Sequence, residues 1–330
     1  MKFRALLLPL LVLCVFSSCK KEEKEKEYMD GSIVISGSIP KYVSPGEKYT
    51  FSASGVTAPD GTAVGYSFTD PITKYVDTTS TYTYVIRDSI GTFGITCTAY
   101  PVVSSDSYYV TVTTIPFTVV SESGSLGRLP ISLYSRSARL YSRDYVTISH
   151  GGLEWICSNL SYIKRDASGK ETFGHSFESC PSMQNIMGAF YTWEEAQTAC
   201  PEGWHLPSDA EWVDLLKTLG APAELAPMQD SPSGAGRLMC NTTFNGTTMW
   251  EYYRNVKITG DSYLGVLPAG YANVADGAYV FSGFGSYAAF WTSDQQDGRG
   301  VYRYINQEYD CVYAGHADKT TFAASVRCVR

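Results

Sequence analysis

The chain has 330 residues, 44% of them hydrophobic, with 26 Lys and Arg against 33 Asp and Glu and a net charge of −7. A modestly acidic chain without a basic stripe excludes nucleic acid as its partner, because that binding rests on clustered cations meeting phosphates. Twenty-five tyrosines and 29 glycines fit strand-rich, turn-rich extracellular modules, and the length suits about two domains. At the start, Lys2 and Arg4 flank an uncharged apolar run, Ala5–Phe16. The run is shorter than the about 20 residues a membrane-spanning helix needs but matches the core of a secretion signal. Residues 1–18 therefore read as a leader and 19–29 as a charged tether.

Phe16-Ser17-Ser18-Cys19 resembles the bacterial lipobox. The resemblance implies that Cys19 becomes the lipidated first residue and holds the protein to a membrane. Lys20 to Glu27 contains no apolar residue, so it has nothing to bury and is expected to stay solvated. Lys21-Glu22-Glu23 resembles the export signal behind the lipid cysteine of Bacteroidetes surface lipoproteins, which implies the outer face of the outer membrane; a generic spacer is the other reading.

Residues 30–120 carry short alternating runs. Ser32–Ile39, Lys48–Ser54, Tyr82–Arg87, Phe93–Tyr100 and Tyr108–Thr114 are the expected strands, separated by turn chemistry such as Pro45-Gly46 and Pro59-Asp60-Gly61. Regular short strands of this kind predict an all-β immunoglobulin-like sandwich. Ser44 to Gly55 also resembles the opening strands of PKD-like domains, and Tyr82 to Cys97 their closing strands. Tyr66-Ser67-Phe68 replaces the family's Trp-Asp-Phe-Gly-Asp-Gly stretch. The resemblance implies a spacer or a stacking unit. Cys97, on a predicted core strand, reads as a small buried apolar residue. Asp77-Thr78-Thr79 and Asp88-Ser89-Ile90 resemble the O-glycosylation sequon of Bacteroidetes. Residues 121–140 lack periodicity and read as a linker.

Residues 141–330 show two helix signals. Thr192-Trp193-Glu194-Glu195 and Ser208-Asp209-Ala210-Glu211 are capping boxes. The first predicts a helix from Trp193 to about Ala199. The second precedes Trp212, Leu215, Leu216 and Leu219, one apolar helix face, and Gly220 is placed to end that helix in a left-handed cap. Six cysteines lie in this half: Cys157, Cys180, Cys200, Cys240, Cys311 and Cys328. An even number in an exported domain reads as disulfides whose connectivity sequence alone leaves open.

Gly188 to Ala196, then Cys200-Pro201-Glu202-Gly203-Trp204-His205-Leu206-Pro207 running on to Trp212, resemble the Fibrobacter succinogenes major paralogous domain. Trp155, Leu267-Pro268-Ala269-Gly270, Phe290-Trp291-Thr292-Ser293 and Ser325-Val326-Arg327-Cys328-Val329 extend the match in order. The resemblance implies an α+β fold of the C-type-lectin-like or sulfatase-modifying-factor-like kind, with two helices, a twisted antiparallel sheet and many loops. It further implies a Cys200–Cys328 bridge. The other four cysteines are read as pairing Cys157–Cys180 and Cys240–Cys311.

No catalytic or metal-ligating constellation emerges. The histidines, His150, His175, His205 and His316, lack metal spacing, and His205 reads as a packing or hydrogen-bonding residue. Gly260-Asp261-Ser262-Tyr263 has no visible base partner, and Gly283 to Ala288 imitates a dinucleotide loop without its strand–helix setting. The calcium-binding motifs of true C-type lectins are missing, and Asp294, Gln295 and Asp297 read as solvated loop polarity. No cofactor or metal is therefore expected. Candidate ligand-binding residues are the loop aromatics Trp250, Tyr252, Tyr253, Tyr271, Tyr279 and Tyr287, since Tyr and Trp stack on sugars and anchor interfaces. Trp155, Trp193, Trp204, Trp212 and Trp291 are assigned to the core. The expected protein is a non-catalytic surface lipoprotein whose lectin-like head binds a glycan or a protein. A structural or adhesive subunit of a fimbria-like assembly, and an enzyme on the modifying-factor fold, are the alternatives.

Overall fold

The computed structural model describes residues 25–103 and 107–330. The leader, Cys19 and the first part of the tether lie outside the described residues.

The first module is a sandwich of two sheets. One has the strand order Tyr42–Val43, Thr111–Val119, Gly91–Pro101, Val64–Thr69, Val76–Asp77; the other has Asp30–Ser36, Lys48–Thr57, Thr81–Val85. Alternation along Lys48–Thr57 sends Phe51 and Ala53 inward, as period-two patterning requires. They meet Phe68, Tyr82, Tyr84, Ile95, Cys97 and Phe117 in one core. Each expected strand is present in part, Tyr108–Thr114 breaking at Val110 into Tyr108–Tyr109, paired with Glu27–Tyr28, and the start of Thr111–Val119. The segment Tyr66-Ser67-Phe68 lies within an added strand, Val64–Thr69, with Phe68 fully buried.

The second module begins earlier than its sequence indicated. Arg136–Leu140 forms a strand paired with Arg143–His150, which in turn pairs with Leu153–Ile156. The expected linker 121–140 therefore gives up its last five residues to this sheet. A five-stranded sheet runs His175–Ser176, Ala189–Thr192, Phe322–Ala324, Tyr271–Ala275, Ala278–Ser282, and a three-stranded one runs Tyr287–Gln296, Arg299–Asn306, Val312–Ala317.

Four short helices, rather than two, accompany these sheets: α1 (Pro181–Met187), α2 (Trp193–Ala196), α3 (Asp209–Thr218) and α4 (Ala235–Leu238). Both capping boxes form. After α2 the chain tightens to i→i−3 bonds, Thr198 to Glu195 and Ala199 to Ala196, so the helix stops short of its expected end. Helix α3 buries Trp212, Leu215 and Leu216. Its end is a Schellman motif: Ala221 N–H donates to the Leu216 carbonyl and Gly220 N–H to Lys217, with Gly220 at φ +91°. Asp209, in the first turn of α3, and Arg303, on the strand Arg299–Asn306, form a fully buried two-point ion pair (2.5 and 2.7 Å).

Cys200 and Cys328 are bridged across 128 residues. The other two proposed bridges are not formed. Cys157, Cys180, Cys240 and Cys311 are free thiols. Cys157 packs in the cluster around Trp155 and Trp212, whereas Cys180 and Cys240 pack in a second cluster around Phe177 and Phe190. The Cys180 sulfur sits 3.5 Å from the Ser44 hydroxyl of the sandwich. Trp155, Trp212 and Trp291 are core residues, but Trp193 and Trp204 are only partly buried, covered from outside by Lys319 and Arg330.

The two modules are packed together. Tyr42 and Val120 of the sandwich are buried in the head's cluster of Phe177, Met183, Met187 and Phe190. The Tyr42 ring lies 5.6 Å from Phe177 and 5.8 Å from Phe284. The Ser44 hydroxyl accepts from the Ser182 N–H, and Asn245 Nδ2 donates to the Val119 carbonyl.

Candidate functional site

The six candidate aromatics part into three places. Trp250 is a correction: it is 1% exposed and its indole N–H donates to the Val266 carbonyl at 3.0 Å, so it belongs to the core. Tyr252 beside it is 82% exposed, and Tyr253 is partly buried. Tyr271 and Tyr287 join a run of rings on the sheet surface, Tyr271–Tyr287–Tyr304–Tyr313, with centroids 5.3, 5.1 and 4.8 Å apart. Their faces are largely spent on one another. Tyr279 stacks on His175 at 3.7 Å on another part of the head.

Around Tyr252 the loops enclose a cavity of about 760 Å³. Its buried lining is apolar at Met249, Trp250 and Val256 and polar at Gln307. Exposed polar groups stand at its edge, among them Asn241, Glu251 and Lys257. Two of the polar groups are held in place. Gln307, itself buried, accepts from the Glu251 N–H and donates through Nε2 to the Glu251 carboxylate, both at 3.2 Å. Tyr253 Oη donates to the same carboxylate at 3.4 Å. A concave site with an apolar floor and a few oriented polar groups is the usual architecture for binding a small polar ligand.

The cavity is braced from the sandwich side. Phe284 lines it and packs on Tyr42. Thr247 and Thr248 line it from a short hairpin paired with Thr243–Phe244. That hairpin is tied to the interdomain segment by Gly127 N–H to the Thr243 carbonyl and Asn245 N–H to the Ser125 carbonyl, both at 2.8 Å. Sequence reading placed the site in this loop region through Tyr252 but missed Gln307, Glu251 and Phe284. None of these carries a local signal, since each acts through a partner distant in sequence.

A second group of polar residues borders a cavity of about 630 Å³. His175 lies 3.7 Å from both Glu171 and Glu195. Burial works against the charge on Glu195, yet the His175 side chain and the Thr192 and Gly174 N–H groups outweigh it and hold its pKa below the ordinary value. Glu171 is occupied by Arg165 and by the Ser176 N–H and hydroxyl. Both carboxylates thus have structural partners.

Other sequence candidates are also absorbed by local structure. Asp294 accepts from the Asp209 N–H at 2.6 Å, at the start of α3. His205 pairs with Glu211 at 2.9 Å while its backbone bridges to Val329. Ser262 is buried, its hydroxyl accepting from the Leu264 N–H, and Asp261 pairs with Arg237. Among the described residues, no three His, Cys, Asp or Glu side chains are grouped to hold a metal ion, and no helix is long and apolar enough to cross a membrane.

The profile of the Fibrobacter succinogenes major domain matches residues 148–330, more than half of the chain. The chain belongs to that family. The Fibrobacter succinogenes major domain thus contains the cavity, the Cys200–Cys328 bridge and the Asp209–Arg303 pair. A search of curated proteins found no match. Among solved structures, the CARDB domain of a Pyrococcus furiosus protein, determined in complex with di-metal ions, is 16% identical over 29% of this chain and 91% of its own. Its TM-score of 0.21 carries no argument about fold or function.

Proposed function

We propose that this protein is a non-catalytic, lipid-anchored surface protein whose Fibrobacter succinogenes major domain, in a C-type-lectin-like fold on an immunoglobulin-like sandwich, binds a glycan. The reading rests on one observation above the others. The cavity of about 760 Å³ combines a buried apolar floor, a fixed Glu251–Gln307 pair and the free ring of Tyr252. The Glu251 carboxylate, held by Gln307 and Tyr253, offers a sugar's hydroxyls an acceptor in a set direction, and an exposed tyrosine offers its C–H face a stacking partner. No step of this recognition calls for a metal.

The test is a glycan-array screen of the chain with and without calcium, followed by titration of the best binder. Tyr252→Ala is expected to weaken binding at least about tenfold, the ~1.4 kcal/mol typical of a side chain that anchors an interface. Gln307→Ala is expected to weaken it further by freeing Glu251. An array without hits, or binding indifferent to both substitutions, would turn the assignment toward a protein partner or an assembly role.

A further inference from the structure

The sandwich has two unlike poles. The strand Thr111–Val119 runs its length, roughly 30 Å at about 3.3 Å per residue. At its far end Thr118 and Val119 pair with Tyr42–Val43, and Val120 enters the head's core. At its near end Tyr108–Tyr109 pair with Glu27–Tyr28, where the tether joins the fold. The tether therefore leaves from the pole opposite the head.

Among the described residues, that near pole exposes an apolar patch beside the charged Glu25, Lys26 and Glu27. Tyr28 is 78% and Val103 69% exposed, and Val102, Tyr109 and Val110 are exposed as well. They lie together. The Tyr28 and Tyr109 rings are 4.9 Å apart. Ala99 is paired with Thr111, so Val102 and Val103, just beyond that strand, reach the same end as Val110. Beneath them Met29, Val56, Ala58, Ala99 and Tyr108 already form a buried cluster, so the fold leaves these five outside a core that is at hand.

We propose that this pole seats on the lipid surface that holds the anchor. The inference rests on lipidation of Cys19. Eight residues along the chain separate Cys19 from Glu27, at most about 28 Å of extended chain, so the pole cannot stray far from that surface. Tyrosine rings favour the water–lipid boundary and valines enter it, while the tether, four lysines and four glutamates over residues 20–27, adds no net charge. Seating would stand the sandwich upright and present the head, at the opposite pole, to the outside.

The experiment uses the full chain, processed in a bacterial host and reconstituted into vesicles of phosphatidylethanolamine and phosphatidylglycerol. A polarity-sensitive dye is placed at Val103→Cys, or at Val280→Cys on the head as reference, both in a Cys311→Ser background. The expected result is a blue-shifted emission at 103, quenched by spin-labelled lipid, with 280 reading bulk water. Replacing Val102, Tyr109 and Val110 by serine is expected to abolish the shift at 103 while leaving thermal unfolding in solution unchanged. Acyl groups found on Cys19 by mass spectrometry, together with a 103 dye that reads bulk water, overturn the seat and leave the anchor standing. A Cys19 without acyl groups overturns the anchor and the seat with it.

Discussion

Cys97, Cys157, Cys180 and Cys240 are buried and unbridged, and burial raises the pKa of each thiol, with Cys97, Cys157 and Cys240 pushed up to about 11. A thiol that holds its proton is a poor nucleophile. Among the five free thiols of the described residues, thiol titration is therefore expected to find the partly exposed Cys311 reacting first, slowed by burial and the nearby Asp230 charge that raise its own pKa, with the other four appearing on denaturation. Fast reaction of two or more would contradict the packing and favour an enzymatic role. Glu195 supports a pH prediction. Its folded pKa lies below the ordinary 4.5, so its charge contributes stability that is complete above that value and is lost as pH falls through the folded pKa. Glu195→Gln should be less stable than the natural chain near neutrality, with the gap narrowing in acid. A gap independent of pH across denaturation curves would show that the charge plays no part. The local sequence exposed Glu195 as a cap residue; its contacts with His175 and the Gly174 N–H were not legible, because those partners arrive from a segment about twenty residues away.

Helix α3 is the element most completely written in its own residues. Its cap, apolar face and terminal glycine follow from spacing alone. Ser208→Ala is expected to cost about 1 kcal/mol by leaving the Glu211 N–H without its acceptor. Gly220→Ala has open space around its Cβ, so its cost, about 1 kcal/mol, comes from the left-handed backbone alone. Both should lower the urea midpoint without changing the slope of the transition. The buried pair that fastens α3 to the strand Arg299–Asn306 is a larger matter. Arg303→Ala strands the Asp209 carboxylate and is expected to cost about 3–5 kcal/mol, read by the same denaturation curves. Helix α1 escaped the sequence reading for a physical reason. Seven residues cannot offset the cost of nucleation, and the helix is held by burying Met183, Ile186 and Met187 rather than by its own propensity.

At the scale of the whole molecule, the sandwich is joined to the head through Tyr42, Val120 and the segment that braces the cavity. The expected spacer is in physical contact with the candidate site. Tyr42→Ala removes a large buried ring and is expected to cost about 3–5 kcal/mol. Calorimetry should show one cooperative transition for the natural chain and two for the variant, and glycan affinity should fall with it through Phe284. A single transition in the variant would show that Tyr42 is not what couples the modules, and two transitions in the natural chain would show them energetically independent. Removing the Cys200–Cys328 bridge, which closes most of the second module, is expected to cost about 2–5 kcal/mol.

Spacing and alternation by themselves determined the longer strands of the sandwich other than Val64–Thr69, both capping boxes and the end of α3. The motif resemblance carried the Cys200–Cys328 bridge and the family. These features depend on near neighbours or on a pattern shared with relatives. Tertiary structure alone decided that Trp250 is core while Tyr252 is free, that Asp209 meets Arg303, that Cys157, Cys180, Cys240 and Cys311 stay unbridged, and that Gln307 reaches Glu251. A periodic pattern reports that one face is apolar, but what covers that face depends on chain segments brought together only when the whole molecule closes.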